Sequence, residues 1–331
     1  MRRRVIPLIV ALALFGVPLA TAAQQSRHIP LVGVLRPGSP SEEFDPKSIL
    51  SAFRQGLRDL GYVEGHTIRL VYRFADGQVD RLPALAAELV SLQPDVLVTN
   101  ATLGARAAQQ ATTTIPIVVA FATDLVEAGL VASLAQPGGN LTGQHGRDLE
   151  VMGKLLELLK EAVPPLTAVA VLTNLTANPF TPSFTSTLDA AAQALGVRLQ
   201  HIDAGGPEAF DAAFATIATS GAEALLIQNN AVFSVHRQRL LDVARAHRLP
   251  TVCHGRLYAE AGCLLTYSPN ARELYRRAAV FVDKILKGAK PGDLPVERPD
   301  KFELVINLKT AQALGLTFPP AILLQATEVI R

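Results

Sequence analysis

The chain reads as an α/β protein: two doubly wound parallel-sheet lobes joined by a multi-strand hinge. Three observations predict this. Short apolar runs alternate with longer amphipathic stretches on both sides of Pro137-Gly138-Gly139-Asn140-Leu141-Thr142-Gly143. Strands alternating with helices through short turns specify parallel sheets covered on both faces. That heptapeptide continues neither element, because it holds three glycines, a proline and an asparagine, and it is read as the first crossing between the lobes. Finally, 331 residues are more than one hydrophobic core usually serves, so two domains are expected.

Residues 1–23 stand apart as a secretory signal peptide. Arg2-Arg3-Arg4 is a basic start, residues 5–20 are apolar, and Ala20-Thr21-Ala22 fits a small-x-small cleavage site. The apolar run is shorter than a spanning helix requires and is interrupted by Pro7 and Pro18. Cleavage leaves 28 Lys and Arg against 29 Asp and Glu, which excludes a basic nucleic-acid footprint. Apolar residues at 49% and charged ones at 18% suit a globular chain. Cys253 and Cys263 are the only cysteines. They are read as two buried thiols at the end of one strand and the start of the next, with a disulfide as the alternative.

In order, residues 29–35 form a buried strand, and Ile49, Phe53, Leu57 and Leu60 repeat at helical spacing up to Gly61. Residues 67–74 alternate as a strand does, and Leu82, Leu85, Ala86, Leu89 and Leu92 make a helix. Strands follow at 95–99 and 116–121, separated by an Ala-rich helix, and a further helix is expected from Thr123-Asp124 through Leu134. After the Gly-rich segment a long helix runs over 149–161 and stops before Pro164-Pro165. The pattern then restarts, with strands at 168–172, 197–202, 224–227, 250–253 and 263–267 alternating with helices. Ser268-Pro269-Asn270 is a second candidate crossing, and a helix over 272–286 follows it. The tail carries a strand at 303–306, a helix to Leu314 and a terminal helical turn near 320–330. On this reading the first lobe spans 28–143 with about 271–298, and the second spans 144–270 with about 299–331.

In open parallel sheets the ligand lies beyond the carboxyl ends of the strands, and in two facing lobes those ends meet. The first lobe offers Ser39, Ser41, Thr99, Asn100, Thr102, Thr123 and Asp124 there. The second offers Thr173, Asn174 and Asn178, then Gln228, Asn229 and Asn230, then His254, Arg256 and Tyr267. This set is rich in hydroxyls and amides and suits a small polar solute. Arg256 can hold a carboxylate through two parallel bonds, Asp124 can accept from an ammonium, and Tyr267 can cover an aromatic part. Each also has a plain structural role open to it: Asn and Asp as helix caps, Arg256 in an ion pair, Tyr267 in packing.

Catalytic and metal signatures are missing. The seven histidines are scattered without ligand spacing, and no Gly-x-Ser-x-Gly elbow occurs. Gln144-His145 stands where a phosphate loop needs Lys-Ser/Thr. The expectation is therefore binding without catalysis, with no cofactor, no metal and no nucleic acid.

Several stretches resemble one family closely. They are Gln55-Gly56-Leu57-Arg58-Asp59-Leu60-Gly61-Tyr62-Val63-Glu64-Gly65, Asp80-Arg81-Leu82-Pro83, and the run from Leu130 through Gly143. The most specific are Asp293-Leu294-Pro295-Val296-Glu297 and Lys301-Phe302-Glu303-Leu304-Val305-Ile306-Asn307-Leu308-Lys309-Thr310-Ala311. They are similar to the ABC transporter substrate-binding proteins, the family that includes the tryptophan-binding protein TrpX. The resemblance implies a type I periplasmic-binding fold, capture of a small-molecule solute by lobe closure, and delivery to an inner-membrane permease; the chain is expected to act as a monomer. The best-studied members of that family bind aromatic amino acids, and the solute expected here is small and polar or aromatic, an amino acid or aromatic acid. An extracellular sensor domain of the same fold, docking on a receptor, is the alternative. This chain departs from the family in Leu125, where Pro usually follows Asp, in Asn230, where Asp is frequent, and in Cys263, where Gly is common. Asn230 removes an ammonium partner and brings neutral or purely anionic aromatic compounds into view.

Overall fold

The computed structural model describes residues 28–40, 48–123, 125–146, 148–175 and 181–331. The signal-peptide segment, Ser41, Asp124 and Asn178 lie outside the described residues.

The first sheet contains β1 (Leu31–Arg36), β2 (Arg69–Phe74), β3 (Val96–Thr99), β4 (Ile117–Ala122) and β5 (Leu141–His145). Its order is β2-β1-β3-β4-β5, and all its pairs are parallel. Side chains alternate between its faces. Val32, Val34, Val96 and Val98 pack on α1 (Ile49–Asp59), while Leu35 and Leu97 pack on α2 (Leu82–Ser91) and α3 (Thr102–Ala111). Ser48 caps α1 by accepting from Ser51 N–H at 3.1 Å.

The second sheet contains β6 (Ala168–Thr173), β7 (Arg198–Asp203), β8 (Ala224–Ile227), β9 (Thr251–Cys253), β10 (Leu265–Pro269), β11 (Phe302–Asn307) and β12 (Glu328–Ile330). Its order is β12-β11-β10-β9-β8-β6-β7, with only β10 and β11 antiparallel. The segment β7-β6-β8-β9-β10 repeats the order of the first sheet, so both are doubly wound in the same sense. One face is covered by α4 (Asp148–Ala162) and α5 (Thr181–Ala194). The other is covered by α6 (Phe210–Thr219), α7 (Ala231–Val235), α8 (Arg237–Ala246) and α9 (Arg256–Glu260). Helix α10 (Ala271–Leu286) follows β10 but returns to the first sheet, where Tyr275, Ala278, Phe281 and Val282 join the core beneath α1. Two short helices, α11 (Leu308–Leu314) and α12 (Pro320–Gln325), finish the second core.

The chain passes between the sheets three times: after β5, between β10 and α10, and over 297–302 before β11. The first and third passages are stitched together, since Glu297 N–H donates to Gly143 O at 2.9 Å and His145 N–H to Glu297 O at 2.8 Å. Asn270 N–H donates to Lys301 O at 3.1 Å and joins the second to the third.

Four expectations need correction. The Gly-rich segment is not itself a crossing: residues 141–145 are β5, and the crossing follows them. Gly143 permits this strand, because at φ +135 a Cβ there would stand 2.1 Å from Val119 O. No helix runs to Leu134. Residues 125–135 form turns around Gly129 at φ +68, with Leu125, Leu130 and Val131 buried. The chain end contributes β12, which pairs with β11, in place of a continued helical turn. Cys253 and Cys263 form a disulfide with Cα atoms 6.7 Å apart. Cys263 precedes β10 and does not extend it. The short α9 and Gly262 at φ +108 fold it back over the end of β9.

Candidate functional site

The carboxyl ends of β3 and β4 face those of β6, β8 and β9. The two groups touch where the Phe121 ring meets the His254 ring, at 5.9 Å between centroids. A second inter-sheet contact lies in the turn after β2, where Val79 packs against cores of both sheets. A Cβ on Gly77 in that turn would stand 3.3 Å from Val235 of α7. The space between the strand ends is thus bordered by the chain crossings on one side and by this apolar contact on another.

On the first sheet, Arg36 is buried at the end of β1, donates to Asn100 Oδ1 at 2.5 Å and to the Tyr275 hydroxyl, and lies 5.3 Å from the Tyr275 ring centroid. Thr102 donates to Thr123 O at 2.6 Å, which fixes the entry of α3 against the end of β4. Between Asn100 and Thr102 stands Ala101 at φ 60, ψ 152, a conformation that L residues adopt only when their surroundings impose it. Its N–H donates to Phe121 O at 2.7 Å. Thr99 is buried, whereas Ser39 is partly exposed on the loop after β1.

On the second sheet, Asn174 donates through its side chain to Gly205 O at 2.9 Å, and its N–H donates to Gln228 Oε1 at 3.0 Å. Asn230 caps α7, accepting from Phe233 N–H at 2.9 Å. Asn229 is partly exposed beside it. Burial pushes the His254 imidazole down to about 4, so it is neutral at physiological pH. Among the described residues, no group of three or more His, Cys, Asp or Glu stands ready to hold a metal ion.

The structure brings Thr99, Asn100, Thr102 and Thr123 together on one side and Asn174, Asn229, Asn230 and His254 on the other. Two expected residues have other occupations. Arg256 forms ion pairs with Glu260, at 2.9 Å, and with both carboxylate oxygens of Glu328. Tyr267 stacks on Phe302 at 5.4 Å with planes 10° apart, against the second core. Sequence reasoning gave Arg36 no place at the site, and counted Gln228 among the strand-end amides without singling it out. An arginine ending an apolar run, or an amide after a strand, carries that signal only weakly. A groove of about 450 Å3 also lies over the crossings, lined in part by Gln144, Asn270, Glu273, Arg277, Glu297 and Arg298. The ion pair between Arg277 and Glu297, at 2.6 and 2.7 Å, bridges α10 and the third passage there.

Two like-ordered parallel sheets, three chain passages and polar strand ends facing one another define a two-lobed solute-binding protein of the type I periplasmic-binding architecture. Residues 46–330 match the ABC transporter substrate binding proteins, and the chain belongs to that family. It is 28% identical to a tyrosine-binding protein of Clostridioides difficile (strain R20291) over 276 residues, 80% of this chain and 75% of that one. Among solved structures, a conserved domain protein from Vibrio cholerae matches with a TM-score of 0.81 and 30% identity, over 91% of this chain and 100% of that one. An ABC domain from Streptococcus pneumoniae in complex with L-Trp matches with a TM-score of 0.84 and 24% identity, over 92% and 100%.

Proposed function

We propose that the protein is the periplasmic substrate-binding component of an ABC importer. It is exported by a cleaved signal peptide, takes up an amino acid or aromatic acid between its lobes as a monomer, and hands it to a permease without chemical change. The observation that carries this reading is the meeting of the two sets of strand ends at Phe121 and His254, with hydroxyls and amides flanking an aromatic contact. Thr99, Asn100, Thr102 and Thr123 on one lobe, with Asn174 and His254 on the other, are the groups we take to line the cleft. Tyrosine and tryptophan in the names of similar proteins support an aromatic solute.

Thermal melting tests this. The mature protein, refolded to strip any carried ligand, is heated with L-tryptophan, L-tyrosine, L-phenylalanine, indole-3-acetate and phenylacetate in turn. A compound at ~100 times its dissociation constant adds about 2.7 kcal/mol, a shift of a few degrees. A shift with at least one compound, recovered unaltered after long incubation, is the expected result. An unmoved midpoint across the panel removes the aromatic reading, and a compound that is turned over removes the non-enzymatic one.

A further inference from the structure

Gln228 follows the last residue of β8, and only 2% of it is exposed. Its amide cannot be turned over, because Oε1 accepts the Asn174 N–H at 3.0 Å and a flipped amide would set donor against donor. The two Nε2 hydrogens are thereby aimed away from Asn174, and that nitrogen is buried with no hydrogen-bond partner in the protein. Buried donors of this kind are rare in folded proteins and are normally matched by something. Register shows where this one sits. Leu226 pairs with Val252 across β8 and β9, so two residues on Gln228 lies beside His254, whose ring meets Phe121 of the other lobe. The donor therefore stands at the carboxyl end of the second sheet, next to the place where the lobes touch.

We propose that Gln228 is a specificity-determining residue, whose Nε2 donates to a carboxylate or carbonyl oxygen on the part of the solute seated against the ends of β6, β8 and β9. This rests on the solute-binding reading and narrows it: the ligand carries a hydrogen-bond acceptor at that end. A buried donor rejects analogues that lack the matching acceptor, because they leave it unpaired. His254, neutral at its side, adds no competing charge. Asn174 has its own carbonyl partner, so its role is to hold the glutamine in place.

The test uses the full mature chain and Q228E. Glutamate keeps the acceptor that Asn174 needs and loses the donor. Titration calorimetry at pH 7.5 compares L-tryptophan, indole-3-acetate and tryptamine, the last lacking a carboxylate. The expected result is that wild type prefers the carboxylate compounds, and that Q228E weakens the better one by roughly 30-fold or more. Affinity of Q228E should recover on acidification as the new carboxyl group takes up a proton and becomes a donor, which a purely structural role would not produce. Q228M, which has neither donor nor acceptor, should bind weakly at every pH and serves if Q228E fails to fold. Unchanged affinity in both variants, as when a trapped water pairs the donor, overturns the proposal and leaves solute binding intact. Preference of wild type for tryptamine also overturns it. Failure of wild type to bind any of the three defeats the aromatic reading itself and this proposal with it.

Discussion

The third strands of the two sheets, β3 and β8, end in opposite ways. After β3 the chain enters the ten-residue α3 through Ala101 at φ 60, with no side-chain cap. After β8 it enters the five-residue α7 through Asn230, whose side chain accepts from Phe233 N–H at 2.9 Å. Where the chain needs a backbone conformation like that of Ala101 elsewhere, at the start of α9, it uses Gly255 at φ 96, ψ 147. The first lobe thus keeps a strained alanine and leaves the helix entry without a side-chain cap, while the second closes its helix end and sets out an amide, Gln228, two residues before the cap. The difference implies a division of labour. On the proposed solute-binding reading, backbone donors at the α3 N-terminus would serve on one side, and fixed side-chain donors on the other.

The largest expected effect concerns His254, the second-lobe side of the contact between the lobes. His254 is held down to about 4 by burial, whereas an unfolded histidine titrates near 6.5. Between these values the unfolded chain binds the proton and the folded one does not. Stability is therefore complete above about pH 6.5 and falls as the pH drops toward 4, by up to ~3 kcal/mol. Melting between pH 7.5 and 4.5 should show this slope in wild type and a shallower one in His254→Gln. Equal slopes would mean that His254 is hydrated. His145, at the first crossing, is lowered by burial and by Arg298 and contributes in the same direction to both proteins.

Next is the Cys253–Cys263 bridge, whose sequence separation is 10. A loop of that size restricts the unfolded chain by about 2–3 kcal/mol in the chain-entropy view. Replacing both cysteines with serine should lower the denaturation midpoint accordingly, and reducing agent should do the same to wild type alone. The smallest pair of effects tests the contrast between strand ends directly. Ala101→Gly should stabilise by about 1 kcal/mol through relief of the backbone. Asn230→Ala should cost about 1 kcal/mol through loss of the cap. Urea unfolding measures both; a destabilised Ala101→Gly would show that the alanine methyl group packs usefully.

The alternation of strands and helices was legible because buried runs and helical spacing are local properties, and β1, α1, β6 and α10 lie close to where their residues placed them. The crossings were less so: β5 looked like a linker because Gly143 signals a turn, and only its close approach to Val119 O shows that the glycine serves strand pairing. The disulfide stood only as the alternative to two buried thiols, because sequence gives the spacing of two cysteines but not the path of α9 between them. At the site, strand-end amides were visible as a group. Asn230 as a cap, Arg256 as an ion-pair partner and Gln228 as the amide with an unmatched donor differ only in their three-dimensional partners.

The central claim is that the facing strand ends close on a solute. Small-angle X-ray scattering on the refolded mature protein, alone and saturated with the compound giving the largest melting shift, tests it most directly. The account predicts a smaller radius of gyration in the saturated sample, as lobes separated in solution close about the three passages. An identical scattering curve at verified saturation would contradict capture by closure.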